Sequence, residues 1–153
     1  MRRKEREIVD RNAINDIIFR CKVCRIALCE KGQPYVLPLS FGYDGKHLYF
    51  HSANAGKKIE MIKQNNRIGF EFDILHEIMA ADNPCEWSAK FESVVGFGTA
   101  EFIESQQEKS KAFECILRQY GGSFSEFNDS LLSSVVIIRV NIVSISGKEN
   151  KQG

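Results

Sequence analysis

Short stretches of alternating apolar residues, separated by turns that contain glycine, fill the first third of the sequence. From 35 to 43 every second position carries a large apolar side chain, which is the period of a half-buried β-strand. The Asp44-Gly45 pair that follows favours a type I′ turn into another such run at 48–51. The loop 30–33 joins residues 22–29 to the same strand. The pattern predicts an antiparallel meander.

Two prolines indicate where this meander ends. Pro34 and Pro38 lie in the alternating run and have no N–H group to donate to a neighbouring strand. We therefore expect one side of this strand to be a sheet edge or a bulge.

Three helices are expected around the strands. Asp10 can cap a helix over 11–20, in which apolar residues recur at helical spacing. A short helix is expected over 56–65. Ser105 and Glu108 form a capping-box pattern before a third helix, which ends at the Gly121-Gly122 pair.

The second half of the chain supplies the remaining strands. Strand patterns cover 68–72, 87–103 and 135–145, and Gly96 and Gly98 indicate a bulge or bend, whereas 73–86 has no clean period. We expect a single domain over residues 1–153, mainly β with flanking helices. Its six antiparallel strands would close into a β-barrel, which removes the sheet edges.

Composition excludes several classes of partner. The 21 basic and 20 acidic residues give a net charge of +1, so no global field attracts nucleic acid or an anionic membrane. No apolar run approaches the roughly 20 residues that span a bilayer, and the N-terminal segment has no apolar signal region. We expect a cytoplasmic protein that binds neither nucleic acid nor membrane.

Five cysteines are present, and an odd number without a signal peptide favours free thiols. Cys21 and Cys24 form a single CxxC, but the three histidines do not offer zinc spacing. We expect no metal site and interpret the CxxC as small buried side chains, with a redox role as the alternative.

The segment 49–59 carries the clearest chemical signal. It ends a strand at Ser52, crosses a loop of small residues and begins a helix with Lys57 and Lys58. Cations at a helix N-terminus oppose the macrodipole, and a phosphate held by the hydroxyl, the lysines and the backbone amides would resolve that conflict. The alternative is that both lysines are solvated surface side chains.

The sequence resembles the split barrels related to pyridoxamine phosphate oxidase, and within them the Nim-like (nitroimidazole-resistance) flavoproteins. The resemblance covers nearly the whole chain and implies a split β-barrel that binds FMN between the two subunits of a homodimer. It is carried by 1–4, 34–43, His51–Lys58, Trp87-Ser88, 93–98 and Ser146-Gly147-Lys148.

The resemblance also implies roles for individual residues. Ser52, Lys57 and Lys58 stand where the family holds the flavin phosphate, with Lys57 in place of an arginine, which keeps the charge but loses the bidentate fork. His51 and Ala53 would line the pocket. A lone tryptophan is most often a core residue, but Trp87 would face the flavin from the partner subunit. Backbone groups along the ring would come from Leu37, Pro38, Leu39 and Ser40.

Three functions remain open from the sequence. The first is an FMN-dependent oxidoreductase that passes electrons from NAD(P)H or another donor to a small acceptor such as a nitroimidazole, with His51 as a proton donor. The second is a non-catalytic module that binds flavin, or haem through His51. The third is a barrel that binds single-stranded nucleic acid, which the near-zero charge disfavours. Oxidation of pyridoxamine phosphate is not expected, because the tail 146–153 lacks the oxidase's substrate-binding residues.

Overall fold

The computed structural model describes residues 3–123 and 135–151. Met1 and Arg2, with which the family resemblance begins, lie outside the described residues. The three predicted helices are present over nearly the predicted residues. The helices are α1 (Arg11–Arg20), α2 (Lys57–Gln64) and α3 (Gln106–Gln119). The strands are β1 (Glu7–Ile8), β2 (Cys24–Glu30), β3 (Gln33–Leu39), β4 (Gly42–Tyr43), β5 (His47–Ser52), β6 (Arg67–Met79), β7 (Ser88–Ile103) and β8 (Val136–Asn150).

The strands form one antiparallel sheet in the order β3-β2-β6-β7-β8-β5-β4, with β1 paired to the end of β8. The predicted class, a mainly β split barrel with flanking helices, is confirmed. The predicted count of six strands is wrong, because the described residues form eight. The run 35–43 divides into β3 and β4, which lie at opposite ends of the strand order. Between them Phe41 is fully buried, and its amide donates to the Tyr120 hydroxyl (3.0 Å).

The type I′ turn lies in a different hairpin from the predicted one. Lys31 (φ 49°) and Gly32 (φ 81°) both have positive φ and form the two-residue connection between β2 and β3. Asp44 does not adopt positive φ, so a type I′ turn at Asp44-Gly45 is wrong. Instead, the Asp44 carboxylate accepts hydrogen bonds from the amides of Lys46 and His47, which stabilises a longer loop between β4 and β5.

The strands β6 and β7 form a longer hairpin than the sequence indicates. The strand β6 continues to Met79, although the strand predicted here ends at 72 and the sequence over 73–86 has no clean period. A register shift between Leu75 and Glu77 interrupts the alternation, which hides the strand from a two-residue period. The predicted bulge near Gly98 is confirmed, because the register with β8 shifts between Phe97 and Gly98.

The core lies inside the barrel and is rich in phenylalanine. Phe41, Phe50 and Phe72 are fully buried there. Gly96 is required by packing, because a Cβ at this position would overlap the Phe70 ring and lie 2.6 Å from the Ser144 carbonyl oxygen. The neighbouring strands β6 and β8 therefore leave no space for a side chain at this position of β7.

The helices pack on the barrel and begin where the sequence predicts. The Asp10 carboxylate caps α1 by accepting from the Asn12 amide (2.9 Å). Ser105 is the N-cap residue of α3, but its side chain makes no capping hydrogen bond. The helix α3 packs directly on β4, where a Cβ on Gly42 would lie 2.6 Å from the Ile116 amide nitrogen. No helix in residues 3–123 or 135–151 has the length and apolar character needed to cross a bilayer.

Candidate functional site

The helix α2 begins without a side-chain cap. Its N-cap residue is Gly56, with φ at 120°, and the first intrahelical bond runs from the Glu60 amide to the Gly56 carbonyl (3.1 Å). The amides of Lys57, Lys58 and Ile59 therefore have no partner within the helix. Together with the helix dipole, these amides favour an anionic group at this end of α2.

Lys58 adds a positive charge that nothing in the described structure neutralises. Its side chain is half-buried, and burial alone lowers the pKa of its ammonium group, with no carboxylate raising it. No ion pair of the described residues includes Lys58. A partly desolvated cation at the positive end of a helix is unfavourable without an anion, so this position suits an anionic ligand.

Lys57 connects the start of α2 to the edge strand β3. Its Nζ atom lies 4.6 Å from the centroid of the Tyr35 ring, within the range of a cation–π contact. Tyr35 pairs with Leu28 of β2 and packs against the core, so the ring has a fixed support. No role was predicted for Tyr35 from the sequence. Only its place at the start of the alternating run could have drawn attention to it.

Ser52 completes the cluster at the end of β5. It pairs with Val136 and is half-buried, on the same face of the strand as the core residue Phe50. Ala53 follows as an exposed residue in the four-residue loop that leads to α2. A hydroxyl, two ammonium groups and three free amides therefore occupy one short strand–loop–helix segment.

The strand β3 presents a backbone edge beside this cluster. It is the last strand of the described sheet at this end, as the two prolines predict. Leu37 and Leu39 pack against the core, whereas Pro38 and Ser40 are exposed. The side chains of Leu37 and Leu39 therefore point inward and do not reach the outside of this edge.

His51 lies on the other face of β5 from Ser52. Successive side chains of a strand point to opposite faces, and the His51 ring packs against Phe113 of α3 with 5.6 Å between centroids. The structure thus does not bring the imidazole to the lysines. The role of His51 as a proton donor stays a prediction.

Trp87 is not a core residue and lies far from the lysines. Its side chain is 56% exposed, and its indole nitrogen donates to the Ala81 carbonyl (2.8 Å). Trp87 precedes Ser88, which pairs with Met79 at the tip of the hairpin, whereas β2 pairs with β6 near Gly69. The ten residue steps between Gly69 and Met79 correspond to about 33 Å of strand. Trp87 and the Lys57–Tyr35 contact therefore lie at opposite ends of β6.

An apolar row on the outer face of the sheet was missed in the sequence. Val36, Ala27, Gly69 and Phe97 are direct neighbours across β3, β2, β6 and β7. Val36 and Phe97 are each 62% exposed. Apolar residues at both alternate positions of the strands are the signal that could have revealed this second face.

The cysteines of the CxxC are buried as predicted. Burial raises the pKa of the Cys21 thiol to about 11 and raises that of Cys24 further. Both thiols therefore stay protonated and unreactive near neutral pH. Among the described residues, no group of three or more side chains could hold a metal ion.

A well-formed cavity lies elsewhere on the molecule. It has a volume of about 960 Å³ and runs beside α3, where Tyr49, Glu108 and Arg139 line it. None of the site residues predicted from the sequence lines this cavity. The chemistry of the lysine cluster, rather than cavity volume, identifies the candidate site.

The fold and the site together define a class: an antiparallel split barrel in which an uncapped helix start with two lysines lies beside an edge strand. The chain belongs to the pyridoxamine 5′-phosphate oxidase family, whose sequence profile matches residues 10–149. An uncharacterised protein from Rhizobium meliloti is 25% identical over 64 residues, and that alignment spans only 42% of either chain.

Solved structures with the same fold include proteins of several descriptions. A candidate 5-nitroimidazole antibiotic resistance protein from Bacteroides thetaiotaomicron is 33% identical, with a TM-score of 0.83 over 93% of this chain and 85% of its own. An FAD-binding protein from Mesorhizobium loti is 25% identical, with a TM-score of 0.69 over 94% and 96%. A flavocytochrome from Azotobacter vinelandii shares the fold at 17% identity, with a TM-score of 0.85 over 99% and 72%.

Proposed function

We propose that this protein binds FMN with the phosphate at the start of α2 and passes electrons from the flavin to a small acceptor such as a nitroimidazole. The observation that carries the proposal is Lys58, a half-buried ammonium group with no acidic partner at an uncapped helix start. The family membership and the 33% identical relative described for 5-nitroimidazole resistance support the choice of ligand and acceptor.

The residues present fit a flavin phosphate. Lys57, Lys58 and the first amides of α2 would surround the phosphate oxygens, and Ser52 can donate from its hydroxyl. Ala53 leaves space in the loop between them. FMN ends in a phosphate monoester, whereas FAD continues into a second phosphate and an adenosine, so the two cofactors make different demands on the same helix start.

The edge of β3 would hold the ring system. Its backbone N–H and C=O groups on the free side are available for hydrogen bonds to the polar edge of a flavin, and Pro38 withholds one donor from that edge. The bound flavin supplies electron transfer between a nicotinamide donor and the acceptor. The protein would contribute position, a positive field at the phosphate and exclusion of water.

We propose that the functional unit is a homodimer. The outer apolar row that contains Val36 and Phe97 has no partner within the described chain, and a second copy would cover it. Trp87 lies at the opposite end of β6 from the Lys57–Tyr35 contact, so we propose that a second copy brings it to the flavin. A cytoplasmic location is part of the proposal, since the five free thiols suit a reducing compartment.

The test is turnover by the FMN-loaded protein. Oxidation of NADH or NADPH is followed by absorbance with and without a 5-nitroimidazole, and the Lys57→Met/Lys58→Met double variant serves as the control. We expect acceptor-dependent oxidation in the wild type and loss of it in the double variant at limiting FMN. Flavin-loaded protein that oxidises neither nicotinamide with any nitro compound would overturn the reductase function.

A second candidate is a flavin-binding module without turnover. No nucleophile–base pair or carboxylate pair adjoins the lysine cluster in the described structure, and the His51 imidazole faces α3. Tight FMN binding without electron transfer would select this candidate. Haem held by His51 would occupy the opposite face of β5 from Ser52, and a Soret band abolished by His51→Ala would identify it.

A further inference from the structure

Lys57 is held by an aromatic ring rather than by a carboxylate. Its Nζ atom lies 4.6 Å from the Tyr35 ring centroid, and no ion pair of the described residues includes this lysine. The side chain is exposed, so packing in the core does not hold the ammonium group in place. The ring is therefore the feature that gives the ammonium group a defined place.

Tyr35 is well suited to this task because its own position is fixed. It sits within β3 opposite the buried Leu28, and its side chain packs against the barrel core. Its hydroxyl makes no hydrogen bond among the described residues. The face of the ring, rather than the hydroxyl, thus makes the polar contact of this side chain.

A restrained lysine binds an anion more tightly than a free one. A long ammonium side chain loses rotamer freedom when it contacts a phosphate, and prior restraint reduces that loss. A lysine also lacks the planar, preorganised fork of an arginine, so it gains more from an external support. The ring leaves the other side of the ammonium group open to a ligand.

We propose that Tyr35 is a positioning residue that holds the Lys57 ammonium group for the phosphate of a phosphorylated flavin and thereby favours FMN over riboflavin. This inference rests on the proposed function, since it concerns the same site. Tyr35 belongs to the same edge strand as Leu37 and Pro38, so one rigid element supports both the phosphate contact and the ring contact.

The test compares FMN with riboflavin, which lacks the phosphate. Dissociation constants are measured by flavin fluorescence for the wild type, Tyr35→Met, Tyr35→Phe, Lys57→Met and the Tyr35→Met/Lys57→Met double variant. We expect Tyr35→Met to weaken FMN binding about threefold to fivefold, the range of an exposed cation–π contact, and to leave riboflavin binding unchanged. Tyr35→Phe should bind FMN like the wild type, and Tyr35→Met should have no further effect in the Lys57→Met background.

A second measurement tests the same contact without the Tyr35→Met variant, in case that variant does not fold. Phenylalanines of increasing fluorination at position 35 keep the ring shape but weaken its attraction for a cation, so FMN affinity should fall stepwise while riboflavin affinity stays constant. The inference would be overturned if Tyr35→Met weakened FMN and riboflavin binding equally, or if it bound FMN more tightly than the wild type. It would also be overturned if Tyr35→Met weakened FMN binding as much in the Lys57→Met background as in the wild type. A wild type that binds no FMN would instead overturn the proposed function.

Discussion

Replacing Lys58 with methionine should weaken FMN binding and at the same time stabilise the ligand-free protein. The change removes the ammonium group and keeps a side chain that can fill the half-buried space. A charge-assisted hydrogen bond contributes about 1.5 to 3 kcal/mol, so the FMN dissociation constant should rise about 10- to 150-fold. Without ligand, burial disfavours the charged lysine, as its lowered pKa indicates, so the ligand-free variant should melt at a higher temperature than the wild type.

The assay is FMN titration by fluorescence quenching, with thermal melting of the ligand-free proteins. Lys63→Met is the matched control, because Lys63 is an exposed lysine in the last turn of the same helix. FMN affinity of the wild type should also fall as the pH rises through the lowered pKa of Lys58, and Lys58→Met should lack this step. An unchanged FMN dissociation constant in Lys58→Met would refute the phosphate site.

Three further predictions concern the fold. Gly96→Ala should lower stability by about 2 kcal/mol in thermal unfolding, because its Cβ would overlap the Phe70 ring; a wild-type melting temperature would contradict this packing. Asp10→Ala should cost about 1 kcal/mol through loss of the α1 cap, whereas Asp10→Asn, which retains a capping oxygen, should cost less. In the native protein, a thiol reagent followed by mass spectrometry should label the exposed Cys85 well before the buried Cys24, and equal rates would contradict the burial.

Local patterns predicted most of the elements, and tertiary contacts decided the rest. Asp10 and the alternating residues of β3 specify their own structure through capping and period, so both predictions are confirmed. The break between β3 and β4 depends on contacts between distant parts of the chain, because the Phe41 ring packs on Phe72 in the core and the Phe41 amide donates to the Tyr120 hydroxyl. The continuation of β6 escaped detection because a bulge near Glu77 shifts the alternation by one residue.

The part of the site that the sequence predicts is the start of α2, where neighbouring charges oppose the helix dipole. Two lysines at a helix start oppose the macrodipole, and that conflict is visible in the sequence and persists in the structure at Lys58. The contact of Lys57 with Tyr35 joins residues far apart in sequence and needs the barrel to form. The large separation of Trp87 from the lysines likewise follows only from the register of β6 and β7.

The central claim is tested most directly by the visible absorption spectrum of the purified protein after incubation with FMN and desalting, read together with its mass in solution. We predict retained flavin bands on a particle of twice the 17.4 kDa chain mass. A colourless protein after desalting would contradict the proposed flavin site, and a flavin-bound monomer would contradict the proposed dimer.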